Sequence, residues 1–304
     1  MPLYAFGSNL HGQISQEPRT AFYAPARIDA ADSVVAASWS QAVVRRGRER
    51  VVVHGLPLET PSFDLRTVTT WLGHDEFVAV LDEAGHVVRI SDGRRAPGSY
   101  ARASMNSRGE LLLVPACATT SLVFCRDLDT LLNQASTDPP TTLSLPFFPS
   151  SPSNPEAITS ISSGGGHFLV LSSPSNRLFA FGDNRFGQLG VPTRPSLAPS
   201  LTRVDALDGS RVVDVSTGSF HSAVVASEGD GLARNRVELF GSDANYQCGG
   251  TGGGTEPVNV PELSGGAGQD GDESAEEEED VSDVGRDRDE VEQTSTGNSV
   301  SHPT

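Results

Sequence analysis

The stretch LFAFGDNRFGQLG, residues 178–190, decides the fold, because the chain carries its pattern three times. LYAFGSNLHGQIS from Leu3 and VELFGSDANYQCG from Val237 align with it without gaps. All three segments combine alternating apolar residues with a Phe-Gly pair, a small polar pair, and Gln followed by an apolar residue. Such alternation predicts a β-strand, and the glycine gives the backbone freedom that a turn after the strand requires. The chain is therefore predicted to repeat one strand unit.

A second module precedes two of these copies. ITSISSGGGHFLVLSS from Ile158 and VVDVSTGSFHSAVVAS from Val212 match position for position. Less regular copies fill the intervening region, and we interpret them as strand pairs that begin at Ser33, at Thr67 and at Ser99, followed by a short helix from Asp127 to Ala135.

The repeat length and the composition divide the chain. At about 45 residues per repeat, residues 1–262 accommodate about five or six blades of an all-β propeller. Six prolines among serines and threonines make residues 139–155 a predicted Pro/Ser-rich loop insertion without a contribution to the core. Residues 263–304 are predicted to be a disordered Gly-rich and acidic tail, because few apolar groups there offset the entropy of ordering.

Composition narrows the class of function. The net charge is −17, and residues 264–304 hold 13 acidic and two basic side chains, so direct binding to a nucleic-acid backbone is disfavoured. All 22 basic residues are arginine, which excludes a phosphate-loop lysine and a Schiff-base lysine. We expect neither a signal peptide nor a membrane span, since the repeat pattern starts at Leu3 and no run reaches ~18 apolar residues. Three widely spaced cysteines favour free thiols, and we expect a cytoplasmic and/or nuclear protein.

The paired modules resemble the regulator of chromosome condensation repeat. The opening LYAFGSN and the final VELFGSDANYQCGG further resemble the alpha-tubulin suppressor-like members of that family. The resemblance implies a β-propeller of four-stranded blades that closes when its N-terminal strand joins strands from the C-terminal end. No closing half-repeat follows Gly250, so the ring is expected to be incompletely closed unless another segment pairs with the first strand. Val258 to Val260, a partner and a second copy are the three alternatives.

Positions that recur in the copies are predicted to have structural roles, since the same residue serves the same turn or blade contact in each repeat. This set consists of Phe6, Gly7, Asn9, Gly12, Gln13, Gly164, His167, Phe181, Gly182, Asn184, Gly187, Gln188, Gly218, His221, Phe240, Gly241 and Gln247.

Two catalytic interpretations of these positions are disfavoured. His167 and His221 occupy one position in successive blades, so they are not expected to converge on one metal ion, and no C-x-x-C or H-x-x-x-H spacing occurs. Ser219 and Ser222 flank His221 but lack the G-x-S-x-G turn of a hydrolase nucleophile. We therefore predict no metal, no cofactor and no enzymatic activity. A hydrolytic or lytic site in the propeller cavity would need carboxylates clustered on one face.

Positions that vary between the copies are the candidate contacts with a partner. His11, Arg185 and Phe186 occupy such a loop, and arginine and aromatic side chains dominate interface hot spots. The leading hypothesis is a non-enzymatic protein-interaction scaffold that uses loops on one propeller face to bind a protein partner. Two alternatives implied by the resemblance stay open: an accessory subunit for diphthamide or transfer-RNA wobble-base modification, and a guanine-nucleotide exchange factor for a small GTPase.

Overall fold

The structure is a computed structural model that describes residues 3–11, 14, 21–28, 33–47, 50–58, 63–133, 139–146, 155–191, 196–227, 235–249 and 254–259. Within strands, only the backbone is described for residues 3–8, 22–28 and 255–256. Gly12, Gln13 and the tail from residue 263 onward lie outside the described residues. The disorder expected for the tail and the domain boundary at residue 262 therefore stay predictions.

Five antiparallel sheets form the blades of a β-propeller, as the repeats predict. A two-stranded sheet of β1 (Leu3–Ser8) and β2 (Ala21–Ile28) comes before them. The blades are formed, in chain order, by β3 (Ser33–Ala37), β4 (Gln41–Arg46) and β5 (Arg50–Gly55); β6 (Val68–Leu72), β7 (Ala79–Asp82) and β8 (Val87–Arg89); β9 (Tyr100–Met105), β10 (Leu111–Pro115), β11 (Ser121–Cys125) and β12 (Thr141–Ser144); β13 (Ala157–Ser163), β14 (His167–Ser173), β15 (Leu178–Asp183) and β16 (Leu197–Arg203); and β17 (Arg211–Thr217), β18 (His221–Ser227), β19 (Asn235–Gly241) and β20 (Gly254–Asn259).

The first strand of each blade lies at the centre of the ring. One cavity of about 530 Å³ is lined by residues from the first strands of all five blades: Ala36, Trp71, Met105, Ser163 and Thr217. Neighbouring first strands are also joined by side-chain hydrogen bonds, from Ser104 Oγ to Ser163 Oγ (2.7 Å) and between Ser162 Oγ and Thr217 Oγ1 (2.8 Å). The blades are thus arranged around a shared cavity.

The apolar core is divided among the spaces between consecutive blades. Val43 of the first blade packs with Trp71 and Val80 of the second, and Leu112 of the third packs with Phe168 and Phe179 of the fourth. Both of these clusters are filled by apolar side chains from two sheets, which is how alternation along the strands becomes buried area on both faces of a blade.

Helix is scarce. The only α-helix of the described residues is α1 (Leu128–Leu132), which lies inside the predicted segment from Asp127 and begins with the Asp127 carboxylate accepting a hydrogen bond from Thr130 N at 2.6 Å. Single 3-10 turns lie at Leu65–Thr67 and Asp205–Leu207. In the part of the chain that the structure describes, no helix has the length and hydropathy needed to cross a bilayer.

Two predictions about strands are wrong. Residues 139–155 were expected to form a loop outside the core, but Thr141–Ser144 pairs with β11 as the fourth strand of its blade, and Leu143 and Leu145 pack against a core cluster. Prolines on both sides of this strand make the sequence look like a loop. An outer strand tolerates proline because only one of its edges is paired. The blades were also expected to have four strands each, whereas β3–β5 and β6–β8 have three among the described residues.

The C-terminal strand does not pair with β1. Of the alternatives for the first strand, pairing with Val258 is wrong, because Val258 lies opposite Leu239 and its strand shares no sheet with β1. Val260 lies outside the described residues. Among the described strands β1 pairs with β2 alone, with Gly7 opposite Phe22.

Candidate partner-binding face

The turns between first and second strands and those between third and fourth strands leave the blades at the same end, because successive strands are antiparallel. We call this end the motif face. Hydrogen bonds join its turns from blade to blade: Trp39 N donates to His74 O at 2.9 Å, Ser107 N to Gly164 O at 3.1 Å, and Gly165 N to Ser219 O at 3.1 Å. These bonds hold the turns of the first and second blades together, and likewise those of the third, fourth and fifth blades.

The three Phe-Gly copies build the same turn. An oxygen of the polar residue accepts a backbone hydrogen bond from five residues further along: Asn9 from Ile14 (2.8 Å), Asn184 from Leu189 (3.0 Å) and Asp243 from Cys248 (2.7 Å). The side-chain oxygen of the glutamine stabilises the same turn. Gln188 Oε1 accepts a hydrogen bond from Phe186 N at 2.9 Å, and Gln247 Oε1 accepts one from Asn245 N at 2.7 Å.

Backbone geometry requires glycine at the start of these turns. Gly182 and Gly241 have φ of 102° and 110°, a region that other residues rarely adopt. A Cβ at Gly182 would lie 2.6 Å from Gly166 O, and one at Gly241 would lie 2.5 Å from Phe220 O. The Phe-Gly turn is thus packed closely against the turn between the first and second strands of its own blade. Gly187 also has a positive φ, 82°.

The apolar residues around the motif pack toward neighbouring blades. Phe181 contacts Phe124 of the preceding blade, with ring centroids 5.0 Å apart. Leu189, after the motif glutamine, shares a core cluster with the fully buried Phe240 of the next blade. The motif of the fourth blade therefore links that blade to both of its neighbours.

His167 joins the fourth and fifth blades from a fully buried position. Its Nε2 lies 3.0 Å from Ser222 Oγ, and Ser222 Oγ donates its hydrogen to Gln188 O at 2.7 Å. Since that hydroxyl has one hydrogen, His167 Nε2 is the donor in their contact. Burial lowers the pKa of His167 to about 4, an effect that the Asp183 carboxylate opposes, so the imidazole is neutral at physiological pH.

The His167–Ser222 pair does not have the arrangement of a hydrolase. A general base must accept the serine proton, whereas here the imidazole donates to an oxygen that is fully buried. Both predicted repeat histidines pack directly against a glycine. A Cβ at Gly164 would lie 2.3 Å from Cε1 of His167, and a Cβ at Gly218 would lie 2.2 Å from Cε1 of His221. Within the described residues no group of three or more possible ligands could hold a metal ion.

The first blade uses a glutamine at the histidine position, a residue that the sequence patterns did not identify. Gln41 is buried; its Oε1 accepts from Phe77 N of the second blade at 2.7 Å, and its Nε2 donates to Leu56 O at 2.9 Å. Gln41 corresponds to these histidines because the same backbone hydrogen bond closes each turn. Ser38 N donates to Gln41 O, Gly164 N to His167 O, and Gly218 N to His221 O.

Two arginines from different blades share one buried carboxylate at the motif face. Arg108 Nη2 and Arg185 Nη2 each lie 2.8 Å from Asp183 Oδ2, and the Asp183 side chain is 4% exposed. Burial alone would raise the pKa of Asp183, but hydrogen bonds from Arg185 and the charges of both arginines bring that pKa below its usual value. The group is an ion triad with one excess positive charge. Asp183 and Arg108 had no signal in the repeat pattern.

Phe186 and Phe220 form an exposed aromatic pair beside this triad. They come from successive blades, their ring centroids are 5.2 Å apart, and the side chains are 46% and 44% exposed. The Arg185 guanidinium lies 5.9 Å from the centroid of Phe186. The structure therefore brings together two of the predicted contact residues, Arg185 and Phe186, and adds Phe220 to them.

The third predicted contact residue, His11, lies elsewhere on the motif face. It borders a cleft of about 390 Å³ together with Trp39 of the first blade and Asp75 of the second. Trp39, which the sequence patterns did not identify, is 63% exposed. The motif face thus carries two separate concentrations of exposed aromatic side chains.

Comparisons with known protein families identify the repeats. A family model for the regulator of chromosome condensation (RCC1) repeat matches residues 175–225, and a second model of the same description matches residues 158–188. A stretch of 69 residues is 45% identical to the X-linked retinitis pigmentosa GTPase regulator homolog of Caenorhabditis elegans. That match covers 23% of this chain and 5% of the relative's length.

Solved structures share the fold. Human WBSCR16 superimposes with a TM-score of 0.55 at 13% identity, over 86% of this chain and 78% of that chain. Yeast RCC1 (Prp20) bound to Kap60 gives a TM-score of 0.62 at 16% identity over 85% and 70% of the two chains, and Prp20p from Saccharomyces cerevisiae gives the same score and identity over 85% and 72%. Such low identities establish the propeller architecture alone.

Proposed function

We propose that this chain, an RCC1-repeat β-propeller, is a non-enzymatic scaffold that binds a protein partner through its motif face. The observation that carries the proposal is the exposed pair of Phe186 and Phe220 with the Arg108–Asp183–Arg185 triad beside it. Aromatic and arginine side chains supply most of the binding energy in protein interfaces.

The construction of the patch supports this role. Phe186 follows the third strand of its blade, and its backbone is held by Gln188 Oε1 at 2.9 Å. Arg185 is held by the buried carboxylate of Asp183, so little side-chain entropy remains to be lost when a partner binds. Variable side chains on such a rigid frame are typical of binding loops.

The interactions of two similar structures support a protein partner. Yeast RCC1 is solved bound to Kap60, and the Prp20p structure is described together with its binding to Gsp1p and histones. These interactions belong to those proteins, and for this chain they support only the class of partner.

The proposal is tested with a double variant, Phe186→Ala with Phe220→Ala, in full-length protein. Partners captured from cells under crosslinking are identified by mass spectrometry, and the affinity of the main partner is then measured with purified components. Because hot-spot aromatics lie at the centre of an interface, the double variant should bind at least about tenfold more weakly.

Val213→Ala is the control. Val213 is 49% exposed near the start of β17, toward the opposite end of its blade, so its replacement should leave the affinity unchanged. Equal weakening by the control, or wild-type affinity of the double variant, would contradict the assignment of the face.

Guanine-nucleotide exchange is a second candidate, favoured by the 45% identity to a GTPase regulator homolog over 69 residues. Its test is the release of fluorescent GDP from purified Gsp1p, with and without this chain. Acceleration that the Phe186→Ala and Phe220→Ala double variant abolishes would support exchange activity, and an unchanged release rate would reject it for this GTPase.

An accessory role in diphthamide or wobble-base modification stays a prediction from the resemblance. It requires subunits of a modification complex among the captured partners. Their absence from the capture experiment, with other partners recovered, would count against it.

A further inference from the structure

A second cleft on the motif face differs in chemistry from the aromatic and arginine patch. It has a volume of about 390 Å³ and is lined by His11, Trp39, Ser40, Leu56, Asp75 and Glu76. Its walls come from the turn after β1 and from turns of the first and second blades. We call it the tryptophan cleft.

Hydrogen bonds hold the walls of this cleft in place. Trp39 N donates to His74 O at 2.9 Å, and Ser40 donates twice to Asp75 O, from its backbone N at 3.0 Å and from its Oγ at 2.6 Å. Ser40 itself is buried. The turns of the two blades therefore form one unit, and the position of Trp39 relative to Asp75 is set by the backbone.

The side chains at the cleft offer an aromatic surface and negative charge. Trp39 is 63% exposed, and the Asp75 side chain, whose Oδ1 lies 3.1 Å from His74 Nδ1, is 84% exposed. Glu76 is also exposed, and none of the described residues that line the cleft is an arginine. An indole with carboxylates beside it attracts a cation through the ring quadrupole and through opposite charge.

We propose that the tryptophan cleft binds a basic side chain, an arginine or lysine of a protein partner, with its charged group against Trp39 and paired with Asp75 and Glu76. The inference extends the proposed function, since it names what one part of the partner must present. The two concentrations on the motif face then have opposite polarity: excess positive charge at Arg108 and Arg185, and negative charge at the tryptophan cleft. Such an arrangement fixes the orientation of a partner as well as its affinity.

The test uses the fluorescein-labelled peptide Gly-Arg-Gly-Arg-Gly and its citrulline counterpart, which keeps the shape and removes the charge. Binding to the full-length protein is measured by fluorescence anisotropy at low salt. We expect the arginine peptide to bind and the citrulline peptide to bind at least threefold more weakly. Trp39→Ala and Glu76→Gln should each weaken arginine-peptide binding by about threefold or more.

Glu83→Gln is the matched control, because it removes the same charge from an exposed glutamate in the turn between β7 and β8, at the opposite end of the second blade. It should retain wild-type affinity. If Glu83→Gln weakens binding as much as Glu76→Gln, if Trp39→Ala has no effect, or if the citrulline peptide binds equally, attraction to the overall acidic charge explains the binding and the proposal is overturned.

The cleft can be separated from the main patch by one further variant. The Phe186→Ala and Phe220→Ala protein should bind the arginine peptide as the wild type does, since neither side chain lines the cleft. Loss of peptide binding in that variant would overturn the cleft as a distinct site. If the arginine peptide does not bind the cleft but Trp39→Ala still binds the protein partner, the cleft proposal is overturned and the proposed function stands.

Discussion

At the scale of the residue, the repeat positions combine conformational and inter-blade roles. His167 shows this most clearly, because its ring reaches Ser222 in the next blade while its backbone closes the turn that begins at Gly164. Gln41 makes the corresponding link in the first blade by accepting from Phe77 N. A buried polar side chain at this position thus forms a hydrogen bond with whatever group the neighbouring blade presents.

The buried, neutral state of His167 predicts a pH dependence of stability. Its pKa is about 4 in the fold and about 6.5 when exposed, so its contribution is complete above about pH 6.5 and is lost as the pH falls toward 4. The loss should be of the order of 3 kcal/mol. His167→Gln, which copies the first blade, should remove that dependence between pH 6.5 and 4 in urea unfolding.

His74→Gln replaces a partly exposed histidine and serves as the comparison for this experiment. The slope of stability against pH should fall further in His167→Gln than in His74→Gln. An unchanged slope in His167→Gln would show that other groups cause the acid sensitivity.

At the scale of the element, β12 shows how an outer strand escapes detection. Pairing with β11 places Leu143 opposite Leu122, and the side chain packs against the cluster between the third and fourth blades. Thr141, Thr142 and Ser144 are exposed, so four residues give only one apolar position to the pattern. The strand forms because its backbone pairs with the edge of β11, and the local sequence of residues 141–144 contains no indication of that pairing.

Leu143→Asp should destabilise the protein by roughly 1–3 kcal/mol, since it replaces a packed apolar side chain with a charge at the edge of the core. Thr142→Asp adds the same charge one residue away at an exposed position and should change stability by less than about 0.5 kcal/mol. Thermal unfolding followed by circular dichroism compares them. Equal effects would mean that β12 does not contribute its apolar side to the core.

At the scale of the whole molecule, the propeller presents one face with two kinds of chemistry. The ring brings turns from distant repeats next to each other, so Arg108 meets Asp183 across 75 residues of sequence and Trp39 N bonds His74 O across two blades. Neither the aromatic and arginine patch nor the tryptophan cleft belongs to a single repeat. The binding properties proposed here therefore depend on the assembled ring.

The boundary of the propeller can be tested by truncation. A chain ending at residue 262 should keep the wild-type unfolding temperature, because the acidic tail has few apolar groups with which to add stability. A chain ending at residue 252 also loses β20, which exposes the edge of β19 opposite Val258, and its unfolding temperature should fall by several degrees. Scanning calorimetry makes the comparison, and an equal fall in both would place the boundary beyond residue 262.

The sequence by itself determined the repeat, the β-propeller and the structure of the Phe-Gly turns. The strands and turns follow from alternation along single strands and from glycine at positions such as 182 and 241, and both are properties of neighbouring residues. The propeller follows from the recurrence of the strand unit and from its resemblance to a known repeat. Only the tertiary structure decided that Phe220 joins Phe186, that Asp183 is shared by two arginines, that Thr141–Ser144 is a strand and that Val258 pairs with β19. Those contacts join residues far apart in the chain, and their geometry arises from the packing of one blade against the next, which a local pattern does not contain.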